Sequence, residues 1–121
     1  MTARILIVED DAGLRDALAS MLVRRGYEVV VASSGNAAIE RLADGPPVDL
    51  VLSDYYMPDG DGRQLLAFVR ERHPRLPVFI LVTGQADLGT PELIALGAQA
   101  LLHKPVSART LVATLAAHLA G

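Results

Sequence analysis

The sequence predicts a doubly wound α/β domain, a parallel sheet with helices on both faces. Two observations predict it. Short runs rich in aliphatic and β-branched residues alternate with segments of helical period along the whole 121 residues. The central runs are apolar without interruption, as in strands covered on both faces, and strands separated by helices pair in parallel.

Each element has its own signal. The first strand is Arg4 to Val8, "RILIV". Asp11 reads as the N-cap of the first helix, since its carboxylate can accept from a free first-turn amide. Leu14, Ala17, Leu18, Met21 and Leu22 then recur on one helix face. Gly26 stops that helix before the second strand, Glu28 to Ala32. Ser34 starts the second helix and Gly45 ends it. The third strand is Val48 to Ser53, and the fourth is Pro77 to Val82. The third helix lies between them, with Arg70 to Arg75 as its charged, solvated end. Thr90, before Pro91, caps a short fourth helix that Gly97 ends. The fifth strand is Ala100 to His103, and Ser107 caps a last helix carrying Leu111, Leu115 and Leu119. Residues 1–121 form one domain.

Composition excludes several functions. The chain has no cysteine, so it has no disulfide, thiol nucleophile or cysteine metal site; this allows, without requiring, the reducing cytoplasm that is the expected compartment. A net charge of −3 offers no basic footprint for direct nucleic-acid binding. No apolar run is long enough for a bilayer, so no membrane association is expected. The scattered His73, His103 and His118 read as surface or packing residues. Asp59-Gly60-Asp61-Gly62 is a Gly-rich turn rather than a calcium loop, because Arg63 and Arg70 fall where that loop needs oxygen ligands.

In a doubly wound sheet the ligand site lies beyond the carboxyl ends of the strands. Those ends are Glu9-Asp10-Asp11, Asp54, Thr83-Gly84 and His103-Lys104-Pro105. Taken singly, each has an ordinary reading as a cap, a β-former or a surface charge. Taken together, carboxylates crowded at an apolar edge repel one another unless a cation is present. A hard divalent ion, Mg²⁺, suits such an oxygen site when a phosphoryl group completes it. Asp54, alone at the end of the central strand, is the candidate nucleophile toward phosphorus. Lys104 and the Thr83 hydroxyl can neutralise the phosphoryl oxygens.

The ordered segments "ILIVEDD", "DLVLSDYYMPDGDG", "VTG" and "LLHKPV" resemble the receiver domain of two-component response regulators, from the first strand to the last helix. The resemblance implies a flavodoxin-like (βα)5 fold with strand order 2-1-3-4-5. It implies that Asp54 accepts a phosphoryl group from a sensor histidine kinase. Asp10, Asp54 and the Tyr56 carbonyl would bind Mg²⁺, with Glu9 acting through water. Thr83, Lys104 and the amides of Tyr56 and Gly84 would contact the phosphoryl group, and Lys104-Pro105 would be a cis peptide. The domain would catalyse only its own phosphorylation and dephosphorylation, and would change shape to control a downstream effector.

Several positions qualify that picture. The family usually has an aromatic side chain where Leu101 stands, so the usual switching lever is missing. Movement is expected instead in the loop from Gly84 to Thr90, with Gly84 and Gly89 as hinges. Tyr56 and Gln85 flank the path of attacking water, and Tyr56 is expected to slow hydrolysis. The "LLHKPV" ending looks more like receivers at the C-terminus of hybrid sensor kinases. A phosphorylation-independent scaffold is the alternative that Leu101 leaves standing. An aspartyl-nucleophile phosphatase would want a second acid where Tyr56 is.

Overall fold

The structure is a computed structural model that describes residues 2–75, 78–84 and 90–119. Strands β1 (Arg4–Val8), β2 (Glu28–Ala32), β3 (Leu50–Asp54), β4 (Val78–Thr83) and β5 (Ala100–His103) alternate with helices along the chain. The helices are α1 (Ala12–Arg24), α2 (Gly35–Asp44), α3 (Gly62–Arg72), α4 (Thr90–Ala95) and α5 (Ala108–Leu119). All strand pairs are parallel, and the order is β2-β1-β3-β4-β5. The fold expected from sequence is therefore the one observed.

Strand alternation splits the core into two layers. Leu6, Val8, Val51, Phe79 and Leu81 point to the face covered by α2, α3 and α4, where they meet Ala38, Leu65, Leu66, Val69 and Leu93. Ile5, Ile7, Leu50, Leu52, Val78 and Ile80 point to the other face, where Leu22 of α1 and Leu111 and Leu115 of α5 close over them. β1, β3 and β4 feed both layers, which is why their sequences are apolar without a break.

Two strands are displaced from the sequence reading. β3 begins at Leu50 rather than Val48 and takes in Asp54, whose backbone stays in register with Val82 of β4. The charge is thus the last residue of the ladder, not the first after it. β4 runs on to Thr83, while its expected first residue, Pro77, lies outside the described residues.

Helix ends follow their expected chemistry in most places. Asp11, Ser34 and Ser107 accept from the amides of Leu14, Ala37 and Thr110 at 3.0 Å each. Thr90, read as a cap, is instead the first helical residue of α4. Gly97 ends the short α4 segment at φ 113°, in the left-handed region where glycine carries no Cβ penalty. Gly45 caps α2 with φ −91°, a conformation open to any residue, so it stops the helix without using glycine's freedom.

Candidate functional site

Register alone gathers the site. Val8 pairs with Ser53 and Val82 with Asp54, while Thr83 pairs with His103. Glu9 therefore emerges level with Asp54, Thr83 one residue beyond that level and Lys104 two, all at one edge of the sheet. The Lys104 amide donates to the Thr83 carbonyl at 2.7 Å, which fixes the chain just past β5. The Lys104–Pro105 peptide is cis, as the resemblance implied.

Ligand oxygens of Glu9, Asp10 and Asp54 all lie within 4.8 Å of one another. Lys104 Nζ stands 3.1 Å from each Asp54 oxygen, and the Tyr55 amide donates to Asp54 Oδ1 at 3.1 Å. Asp54 is 8% exposed and Glu9 5%, whereas Asp10 faces solvent. Thr83 is fully buried directly after the Asp54 register position, and Gly84 follows it at the exposed rim. Tyr56 sits two residues past Asp54 with its ring half exposed, edge-on to the buried Tyr55 ring at 4.8 Å. Pro105 is exposed, and Leu101 is partly buried against the core on the α3 side. Gln85 and Gly89 lie outside the described residues. Below these groups an apolar groove of about 560 Å³ runs between α1 and α5, lined by Leu14, Leu18, Val106 and Leu111 and open to Asp54 and Lys104.

Three carboxylates face one ammonium, and the imbalance appears in Glu9. Burial pushes its pKa from 4.5 up to about 7, reinforced by the Asp54 charge and opposed by the Asp11 amide and Lys104. A raised carboxyl pKa means that the folded state holds its proton longer than the unfolded state does. The associated stability is complete below pH 4.5 and is lost as pH rises through about 7. The metal-free domain should lose on the order of 3 kcal/mol over that window. Thermal unfolding in chelator at pH 5 and pH 8 measures this. Glu9→Gln should flatten the profile, and an equally steep profile in that variant would assign the loss elsewhere. The same excess of negative charge fits a hard divalent cation with oxygen ligands.

A clamp behind the site was missed in the sequence. Asp59 adopts φ 60°, accepting from Ser34 Oγ at 3.3 Å and from Asn36 Nδ2 at 2.8 Å. Backbone amides of Gly35 and Asn36 donate to the carbonyls of Gly60 and Asp59. A Cβ on Gly35 would stand 2.5 Å from the Gly60 oxygen, so only glycine permits this approach. The β3–α3 loop, which carries Tyr56, is thereby fastened to the start of α2. Asp59→Ala should cost about 2 kcal/mol, through the lost bonds and the left-handed backbone, and Asp59→Gly about half as much. Equal losses in urea denaturation would show that backbone strain plays no part. Asp61 caps α3 in a reciprocal box with Gln64, both bonds 2.9 Å. Its signal, Asp-x-x-Gln, is local and lies within the turn-like Asp-Gly-Asp-Gly stretch.

A doubly wound βα sheet that draws a carboxylate cluster and a lysine together at its carboxyl edge is the architecture of a receiver module. The chain belongs to the response regulator receiver domain family, whose sequence profile matches residues 5–116. It is 41% identical over 121 residues to the response regulator protein FleR of Pseudomonas aeruginosa, covering all of this chain and 25% of that protein. The chain thus spans about a quarter of the length of that relative. The crystal structure of a CheY-like receiver domain from Methanospirillum hungatei superposes with TM-score 0.87 at 32% identity, over 95% of this chain and 91% of that one. Vibrio cholerae chemotaxis protein CheY4 superposes with TM-score 0.89 at 27% identity, over 98% and 100%. Among the described residues no helix is long and apolar enough to cross a membrane.

Proposed function

We propose that Asp54 is the phosphoacceptor of a Mg²⁺-dependent signalling domain that draws its phosphoryl group from a sensor histidine kinase. The observation that carries this reading is the Asp54 carboxylate, buried, held 3.1 Å from Lys104 and set among two further carboxylates.

In the reaction a carboxylate oxygen of Asp54 forms a bond to phosphorus as the bond from phosphorus to the donor imidazole nitrogen breaks. The imidazole leaves with the electron pair and takes a proton. The Tyr55 amide holds Asp54 Oδ1, which restricts the carboxylate rotor and presents it at the sheet edge. Lys104, already paired with both Asp54 oxygens, shifts its charge onto the incoming phosphoryl oxygens. The Thr83 hydroxyl and the amides of Tyr56 and Gly84 are the further donors that would meet the phosphoryl oxygens. Glu9, Asp10, Asp54 and the Tyr56 carbonyl are the groups that would hold Mg²⁺. When bound, the ion neutralises charge on the phosphoryl group and orders the carboxylates. Redistribution of the Lys104 and Thr83 contacts is the event through which a downstream effector would sense phosphorylation. The domain turns over nothing but its own phosphoryl group.

A small acyl phosphate or phosphoramidate with Mg²⁺ should add one phosphoryl group, mapped to Asp54 by mass spectrometry and absent in chelator. Labelling that persists in chelator, or maps to another residue, refutes the reading.

A further inference from the structure

At the opposite pole of the sheet from Asp54, the connection from α2 to β3 and the end of α3 enclose a cleft of about 380 Å³. Its floor is apolar: Leu42, Val48, Pro46, Pro47 and Pro74. Its polar lining is Arg72, His73 and Arg75, with no carboxylate among the described lining residues. Prolines on both walls fix the backbone and leave few amide donors, so recognition falls to the side chains. In a chain of net charge −3, this is a local concentration of cations.

Among the described residues Arg72 and Arg75 take part in no ion pair, in contrast to Arg4 with Glu28 and Arg63 with Glu92. Arg72 is nonetheless not loose, because its guanidinium lies 5.8 Å from the Phe68 ring centroid. The same ring meets His73 at 5.7 Å, and the His73 amide closes α3 on the Val69 carbonyl at 2.7 Å. Aromatic support pre-orients one guanidinium fork at the edge of an apolar depression.

We propose that this cleft binds a small organic carboxylate with an apolar body, the ring or branched chain on Leu42 and Val48 and the carboxylate between Arg72 and Arg75. A planar carboxylate matches the guanidinium fork, and the volume lies within the range of small-molecule sites. A bare anion would leave the apolar floor unused, and a neutral apolar molecule would leave both guanidiniums unpaired. The site is independent of the phosphoacceptor reading. The cleft joins the segments that enter β3 and leave α3, so occupancy should also raise thermal stability by mass action.

The test is an NMR titration of the whole chain with benzoate, with benzyl alcohol and acetate as matched controls. Benzoate should shift Leu42, Val48, Arg72 and Arg75 signals saturably. Both controls should bind about tenfold more weakly, each lacking one of the two contacts. Arg72→Ala combined with Arg75→Ala should weaken benzoate about tenfold. The single Arg75→Ala, an exposed position, gives a partial loss if the double variant does not fold. Benzyl alcohol binding as tightly as benzoate would overturn the proposal, as would unchanged binding in the variants or shifts centred on Lys104. Acetate binding as tightly as benzoate would assign the cleft to the acidic side chain of a protein segment and overturn the small-molecule reading.

Discussion

Asp54→Asn should accept no phosphoryl group from any donor, and it should do so in a domain that is folded and no less stable. The amide is nearly isosteric and can still accept from Lys104 and from the Tyr55 amide, so the packing around an 8% exposed side chain survives. What disappears is the anionic oxygen needed for attack on phosphorus. A second signature separates this loss from simple damage. The Asp54 charge is, after burial, the main influence raising the Glu9 pKa, so removing it should bring that pKa back toward the ordinary range. The fall in metal-free stability between pH 4.5 and 7 should shrink accordingly, and so should the stabilisation expected from added Mg²⁺ at pH 8. Labelling by mass spectrometry and thermal unfolding on the same preparation measure both. Undiminished labelling would remove Asp54 from its proposed role. Absent labelling with an unaltered pH profile would detach Glu9 from the cluster.

The parts of this site that could be read from the sequence are those fixed by strand ends. β1, β3 and β4 announce themselves by unbroken apolar runs, so Glu9, Asp10 and Asp54 stand out as charges where burial stops. Lys104 and Thr83 need the resemblance as well, because a lysine after "ALLH" and a threonine after "FILV" are unremarkable until the strand order makes them neighbours. The clamp of Asp59 to Ser34 and Asn36 escaped for a different reason. It joins two loops 23 to 25 residues apart in the chain, and no local pattern encodes that contact. The Asp61–Gln64 box was local and readable, yet it was hidden inside a stretch whose four residues, Asp-Gly-Asp-Gly, look like turn chemistry throughout. Its two aspartates prove to do different things, one left-handed and bonded across to α2, the other capping α3.

Gly62 follows that pair, and Gly62→Ala should be strongly destabilising. It is the first residue of α3 and is buried, so nothing about its helical backbone calls for glycine. Space does. A Cβ there would stand 2.6 Å from the Asp54 carbonyl oxygen and 3.0 Å from the Tyr55 Cα, as well as 2.7 Å from Leu81 Cδ2. Leu81 could turn aside, but the other two atoms belong to the backbone of the strand end and cannot. The Gly62 amide also donates to the Tyr55 carbonyl at 2.8 Å, so α3 cannot retreat without breaking the bond that seats it. Overpacking against backbone should cost at least about 3 kcal/mol. Gly13→Ala, in α1, provides the contrast. There the new Cβ would meet only Asp11 Oδ1 at an ordinary 3.4 Å, and helix propensity predicts a gain of up to about 1 kcal/mol. Urea unfolding of the two variants should therefore move in opposite directions. The Asp54–Tyr55 peptide is what the new methyl would push, so any Gly62→Ala protein that remains folded should also bind Mg²⁺ more weakly than the parent. A variant within 1 kcal/mol of the parent would mean that α3 slides freely along β3 and does not brace the residue proposed to carry the phosphoryl group.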